Sequence, residues 1–162
     1  MKNLYFFKFL QRIVFFVAVF VAAAASVNAQ ALNISGNITL VNGTNFGIYS
    51  SLNLTNNVTF NLPTGATAYI NIPITSNNDS YTVTVQLVSS GTGSSGTIYF
   101  NANNTYKGTT TIGGRVSLYI GDNTSTGAIA GNIENDGLLF FSRSNNYTYD
   151  GVISGQVVYL FL

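Results

Sequence analysis

The segment Asn103-Asn104-Thr105-Tyr106-Lys107-Gly108 returns as Asn146-Tyr147-Thr148-Tyr149-Asp150-Gly151, with its N-x-T-Y-x-G positions offset by 43 residues. A fixed offset between turn-forming residues, set among β-type runs, marks a stacked repeat architecture. Each unit of such a fold contacts only its neighbours, and the stack presents a long lateral surface in place of a compact pocket.

Beyond residue 31 no segment has a helical period, whereas period-two alternation recurs. Ile70, Ile72 and Ile74 share one side of Ile70-Asn71-Ile72-Pro73-Ile74. Tyr81, Val83, Val85 and Leu87 alternate with Thr82, Thr84 and Gln86, and Val116, Leu118 and Ile120 alternate with Ser117 and Tyr119. Alternation in β-branched and aromatic residues predicts half-buried strands. Turns are expected at Asn42-Gly43, Asn77-Asn78-Asp79, Gly91 to Gly96, Gly113-Gly114, Gly121-Asp122-Asn123 and Asn135-Asp136-Gly137, because Gly and Asn tolerate positive φ.

Strands at intervals of roughly 8–12 residues suit two all-β architectures, a right-handed parallel β-helix and a β-sandwich. The repeat favours the β-helix. Each coil advances by one strand spacing of about 4.8 Å, so corner asparagines stack into amide ladders and aliphatic side chains into internal columns. Val116, Leu118, Ile120, Ile129 and Ile133 are expected to face that interior.

The N-terminus reads as a secretory leader over residues 1–31. Lys2, Lys8 and Arg12 precede the apolar run Ile13 to Ala25, and small residues follow, with cleavage expected after Ala29 or Ala31. The run is about 13 residues long, short of the roughly 20 that span a bilayer. The remaining roughly 130 residues suffice for one domain with its own core. They hold only Lys107, Arg115 and Arg143 as cations, against Asp79, Asp122, Glu134, Asp136 and Asp150. With no basic cluster, nucleic acid and anionic lipid are not expected partners. The chain has no cysteine and no histidine, so disulfides are excluded and the usual general base and zinc ligands are missing.

From Gly96 to Gly155 the chain resembles the β-strand repeats of bacterial autotransporter passenger domains. The likeness is carried first by Thr97-Ile98-Tyr99-Phe100 with Asn103 to Ile112, similar to that family's apolar strand, N-x-Y-x-G turn and T-T-I strand. Leu118-Tyr119-Ile120-Gly121 running on through Gly127 to Ile133 carries it next. Asn135 to Arg143, closed by Tyr149-Asp150-Gly151-Val152-Ile153-Ser154-Gly155, completes it. Residues 32–95 match only in style, and residues 156–162 form an apolar tail with the composition of an aggregation-prone strand. The resemblance implies a passenger fragment without the family's translocator barrel, placed in the periplasm, at the cell surface or at the outer membrane of a Gram-negative bacterium.

Several residues invite chemical readings. Glu134 and Asp136 would share a face in extended chain, as a sugar-cleaving carboxylate pair requires, but they flank a turn. Asp122 with Asn123, or Asp79 with Asn78, offers oxygens to calcium, which takes six to eight; an Asx-turn is the expected role. Arg115 and Arg143 read as edge residues that keep the surface soluble. The N-x-S/T sequons at Asn33, Asn37, Asn53, Asn57, Asn123 and Asn146 follow from Asn- and Thr-rich composition. No residue is assigned as catalytic, cofactor-binding or metal-binding, and no cofactor is expected. The function expected is an exported structural or adhesive surface module that binds a protein or glycan of a host or neighbouring cell, with self-association through the apolar C-terminal strand. The alternatives are a non-functional remnant of a larger autotransporter and a β-helical polysaccharide-degrading enzyme.

Overall fold

The computed structural model describes residues 29–89, 91–156 and 160–161; the leader expected over residues 1–31 falls outside them up to residue 28. Among the described residues the chain is all β. Its strands are β1 (Leu32–Thr39), β2 (Leu52–Leu62), β3 (Thr67–Ile70), β4 (Ile74–Ser76), β5 (Val83–Leu87), β6 (Gly96–Phe100), β7 (Thr110–Ile112), β8 (Val116–Thr124), β9 (Ile133–Asn135), β10 (Leu138–Arg143), β11 (Ile153–Ser154) and β12 (Leu160–Phe161). They build a seven-stranded sheet in the order β1-β2-β5-β7-β9-β11, with β4 beside β2, and a five-stranded sheet in the order β12-β10-β8-β6-β3. Every pairing is parallel. A Greek-key sandwich needs antiparallel neighbours, so the fold is the parallel β-solenoid.

Alternation places the core between the two sheets. Val58, Phe60, Val83, Val85, Ile112 and Ile133 enter from the long sheet, and Ala68, Ile70, Ile98, Phe100, Leu118, Ile120 and Leu139 from the short one. Phe60 meets Phe100 edge-on across the interior, with centroids 6.3 Å apart. The five interior residues expected from sequence, Val116, Leu118, Ile120, Ile129 and Ile133, are all buried.

Coil length is uneven. Leu52 follows its partner Leu32 by 20 residues, Val83 follows Val58 by 25, Thr110 follows Val83 by 27, Ile133 follows Thr110 by 23 and Ile153 follows Ile133 by 20. Thr110 and Ile153 are therefore 43 residues apart with Ile133 between them, so the sequence repeat spans two coils. The intervening coil matches the others in space through Gly131, which stacks between Gly108 and Gly151. A Cβ at Gly131 would collide with the carbonyl oxygen of Gly108, and one at Gly151 would press on the carbonyl oxygen of Gly131.

One expected strand is divided. The alternation Ile70-Ile72-Ile74 runs across a corner: Ile70 ends β3 in the short sheet and Ile74 begins β4 in the long one. Pro73 lacks an N–H for a ladder but its carbonyl accepts from Leu52 N at 2.8 Å. The apolar tail supplies β12, whose Leu160 and Phe161 register with Leu139 and Phe140.

Candidate binding surface

Two outer faces differ in chemistry although the same alternation builds both. On the long sheet, successive coils bring Thr59, Thr84, Thr111, Glu134 and Ser154 into one outward column. Amide ladders run beside it. Asn53 Nδ2 donates to Asn33 Oδ1 at 2.9 Å, and Gln86 Nε2 donates to Asn61 Oδ1 at 2.9 Å. The sequence predicts amide ladders at corners, whereas these four residues lie within β1, β2 and β5.

On the short sheet the corresponding column is aromatic. Tyr69, Tyr99, Tyr119 and Phe140 are register partners on β3, β6, β8 and β10. Their ring centroids are 4.7, 4.6 and 4.3 Å apart, with planes 13°, 17° and 4° from parallel. These separations follow the strand spacing of about 4.8 Å, and stacked aromatic pairs are worth about 0.5–1.5 kcal/mol each beyond area burial. Burial raises the Tyr99 phenol above its ordinary pKa, helped by Tyr119, Tyr69 and the Asp122 carboxylate. Tyr69, at the N-terminal end of the column, keeps 41% of its surface exposed.

The aromatic column is flanked on one side by Thr67, Thr97 and Ser117. On the other, Asn101 Nδ2 donates to Asn71 Oδ1 at 2.7 Å. The next position along is Gly121, which brings no side chain, and Asn101 Oδ1 is left buried without a hydrogen-bond partner. Near the start of β3, Val41, Asn42, Pro63, Thr64, Gly65 and Ala66 line an open depression of about 300 Å³. Asn42 Oδ1 accepts there from Thr67 N at 2.8 Å.

Two of the carboxylates singled out in the sequence, Asp79 and Asp136, bridge coils. Asp136 Oδ1 accepts from Gln156 N at 3.0 Å, stapling one coil to the next, while Glu134 stays exposed in the threonine column. Asn78 Oδ1 accepts from Ser80 N at 3.0 Å, which is the expected Asx-turn, and neighbouring Asp79 pairs with Lys107 Nζ at 3.0 Å in the open. Asn123 adopts φ 53° and donates its N–H to Ser142 Oγ at 3.2 Å. Among the described residues no three His, Cys, Asp or Glu side chains gather to hold a metal.

Arg115 is exposed and Arg143 half-buried, and each also bonds backbone carbonyls of the stack. Arg115 takes φ 66° and donates to the carbonyl of Gly91. Arg143 donates to the carbonyls of Gly127 and Ser125 and to Asn145 Oδ1, and its guanidinium sits 4.5 Å from the Tyr147 ring centroid. It clamps the excursion between Gly121 and Gly127, a planar multi-donor task that suits Arg over Lys.

Sequence reasoning missed two structural features. Asn104 is buried and links three coils: its Oδ1 accepts from Ile74 N at 2.9 Å and its Nδ2 donates to Ala128 O at 2.8 Å. The aromatic column was also missed, although it leaves a trace in Ala68-Tyr69-Ile70, Ile98-Tyr99-Phe100, Leu118-Tyr119-Ile120 and Leu139-Phe140-Phe141, an outward ring between two inward residues each time. No protein-family model, curated protein or solved structure matches the chain.

Proposed function

We propose that the chain is an exported structural and adhesive module that binds through the lateral surface of its solenoid and performs no catalysis. The observation that carries this reading is the outward aromatic column of Tyr69, Tyr99, Tyr119 and Phe140. Contiguous apolar surface of this kind on a face rimmed by polar groups marks interaction sites. The charged groups support the same reading, because Asp79, Asp136, Arg115 and Arg143 are engaged in contacts between or within coils. The resemblance of residues 96–155 to passenger repeats and the leader-like residues 1–31 support export to the periplasm or the cell surface.

The test is expression with the natural N-terminus in a Gram-negative host, followed by fractionation and N-terminal sequencing of the product. The purified product is then coated on beads and scored for adhesion to bacterial and animal cells. A processed chain outside the cytoplasm that confers adhesion is expected. Cytoplasmic retention with Met1 intact, or beads that adhere no better than albumin-coated controls, would sink the reading.

A further inference from the structure

We propose that the aromatic column on the outer face of the short sheet is a binding track for a neutral, extended, β-linked glycan. This deepens the adhesive reading above and rests on it. The starting observation is a contrast within the molecule. The scaffold does not require rings at an outward column, since the long sheet stacks Thr59, Thr84 and Thr111 in the same way with hydroxyls. Aromatics occur at the outward column on one face, across four successive strands.

The shape of the column selects the ligand. The stacked rings form a straight line about 14 Å long, three strand spacings of about 4.8 Å. An extended β-linked chain is a straight ribbon whose pyranoses carry apolar C–H faces and advance by close to one strand spacing each, so it can lie along the line. A curled α-linked chain departs from it. The flanking Thr67, Thr97 and Ser117 hydroxyls and the exposed Asn71 amide are two residues along the chain from the rings, roughly 7 Å. That is within reach of equatorial hydroxyls projecting sideways from a sugar seated on the rings.

Charge narrows the choice further. Asp122, on the same strand as Tyr119, places a negative charge beside the column. The cation on β10, Arg143, is held by Gly127, Ser125 and Asn145. Among the described residues Asp122 is in no ion pair, so an acidic polymer meets its carboxylate, whereas a neutral one meets hydroxyls, phenols and amides.

The experiment uses the purified exported chain and four polymers: cellulose and chitin as neutral β-linked probes, amylose as a neutral α-linked probe and polygalacturonate as an acidic one. Retention on cellulose or chitin, and not on amylose or polygalacturonate, is expected. Tyr99→Leu and Tyr119→Leu should each lower it at least about fivefold, the effect of losing roughly one contact of 1 kcal/mol, and Thr111→Leu on the opposite sheet should leave it unchanged. Circular dichroism and sedimentation accompany each variant, and Tyr69→Leu, at the exposed end of the column, replaces any variant that fails to fold. Absence of retention on both β-linked polymers, retention on amylose or polygalacturonate alone, or equal retention by wild type and Leu variants would overturn the proposal. A change of oligomeric state in Tyr99→Leu would also overturn it and assign the column to contact between copies. Adhesion that persists without glycan retention removes this inference and leaves the adhesive reading standing.

Discussion

The Tyr149 hydroxyl donates to the carbonyl oxygen of Gly131 at 2.6 Å, bonding one coil to the preceding one. Its counterpart in the sequence repeat, Tyr106, makes a different bond. Tyr106 is fully buried and shares a 2.6 Å hydrogen bond with Thr110 in its own coil. The repeated letters thus mark the same turn on coils that are two apart, while the side chain turns inward in one and across the coil boundary in the other.

Gly131 should tolerate no side chain. A Cβ there meets the carbonyls of Gly108 and Lys107, which are backbone and cannot move aside. Gly131→Ala is expected to cost about 2–4 kcal/mol, in the range of substitutions that force a steric clash. Gly65→Ala, at φ +75 with open space around it, should cost only the left-handed backbone strain of about 1–2 kcal/mol. Urea unfolding of both variants checks the order; equal losses would refute it.

Tyr106→Phe should destabilise by about 1–3 kcal/mol, because it leaves the buried Thr110 hydroxyl without its phenol partner. Adding Thr110→Val should recover part of the loss by removing the orphaned group. A double variant that unfolds at lower urea than Tyr106→Phe would contradict this.

Alkali should unfold the protein through its tyrosines. Burial pushes the Tyr149 phenol up to about 12, with Tyr147 adding to it, and burial raises Tyr106 further, only partly offset by its bond to Thr110. A phenol in the unfolded chain ionises near pH 10. Above that pH the unfolded state releases protons that the folded state holds, so stability is intact below about pH 10 and falls as pH rises toward 12. Urea midpoints at pH 8, 10 and 11 should therefore decline, and the decline should flatten in a Tyr106→Phe, Tyr149→Phe protein.

Arg143→Lys should loosen the Gly121–Gly127 excursion while the coils stay formed. Lysine keeps the charge but cannot serve the Gly127 and Ser125 carbonyls together with Asn145. Faster amide exchange confined to residues 122–127, from a local loss of about 1–2 kcal/mol, is the expected result. Exchange that rises evenly along the chain would show that Arg143 supports the whole fold.

The exposed Lys107–Asp79 pair should matter little. Both side chains are about two-thirds exposed, and pairs of this kind contribute about 0–1 kcal/mol. Lys107→Met is expected to shift the urea midpoint by no more than that, at low or high salt.

The all-β architecture follows from short-range pattern alone. Alternation at Val83-Val85 and Val116-Leu118-Ile120 makes strands of those residues whatever lies beside them, since period two puts one apolar set on one side. The recurrence of Asn, Thr, Tyr and Gly after 43 residues implies stacking, because only chemically like rungs present the same turn again. Asn78 belongs here too, since its turn bond reaches only Ser80. The rest depends on which coil lies over which, and unequal coil lengths hide that in the linear chain. Steps of 20 to 30 residues bring Tyr69, Tyr99, Tyr119 and Phe140 into one line. They also set Gly131 between Gly108 and Gly151, and place Asn104 where it can bond Ile74 and Ala128. The division of Ile70 and Ile74 between two sheets has the same origin: alternation continues through a corner because both sides of the corner face one core. Local chemistry specifies the strand and the turn; the stacking of distant coils makes the surface.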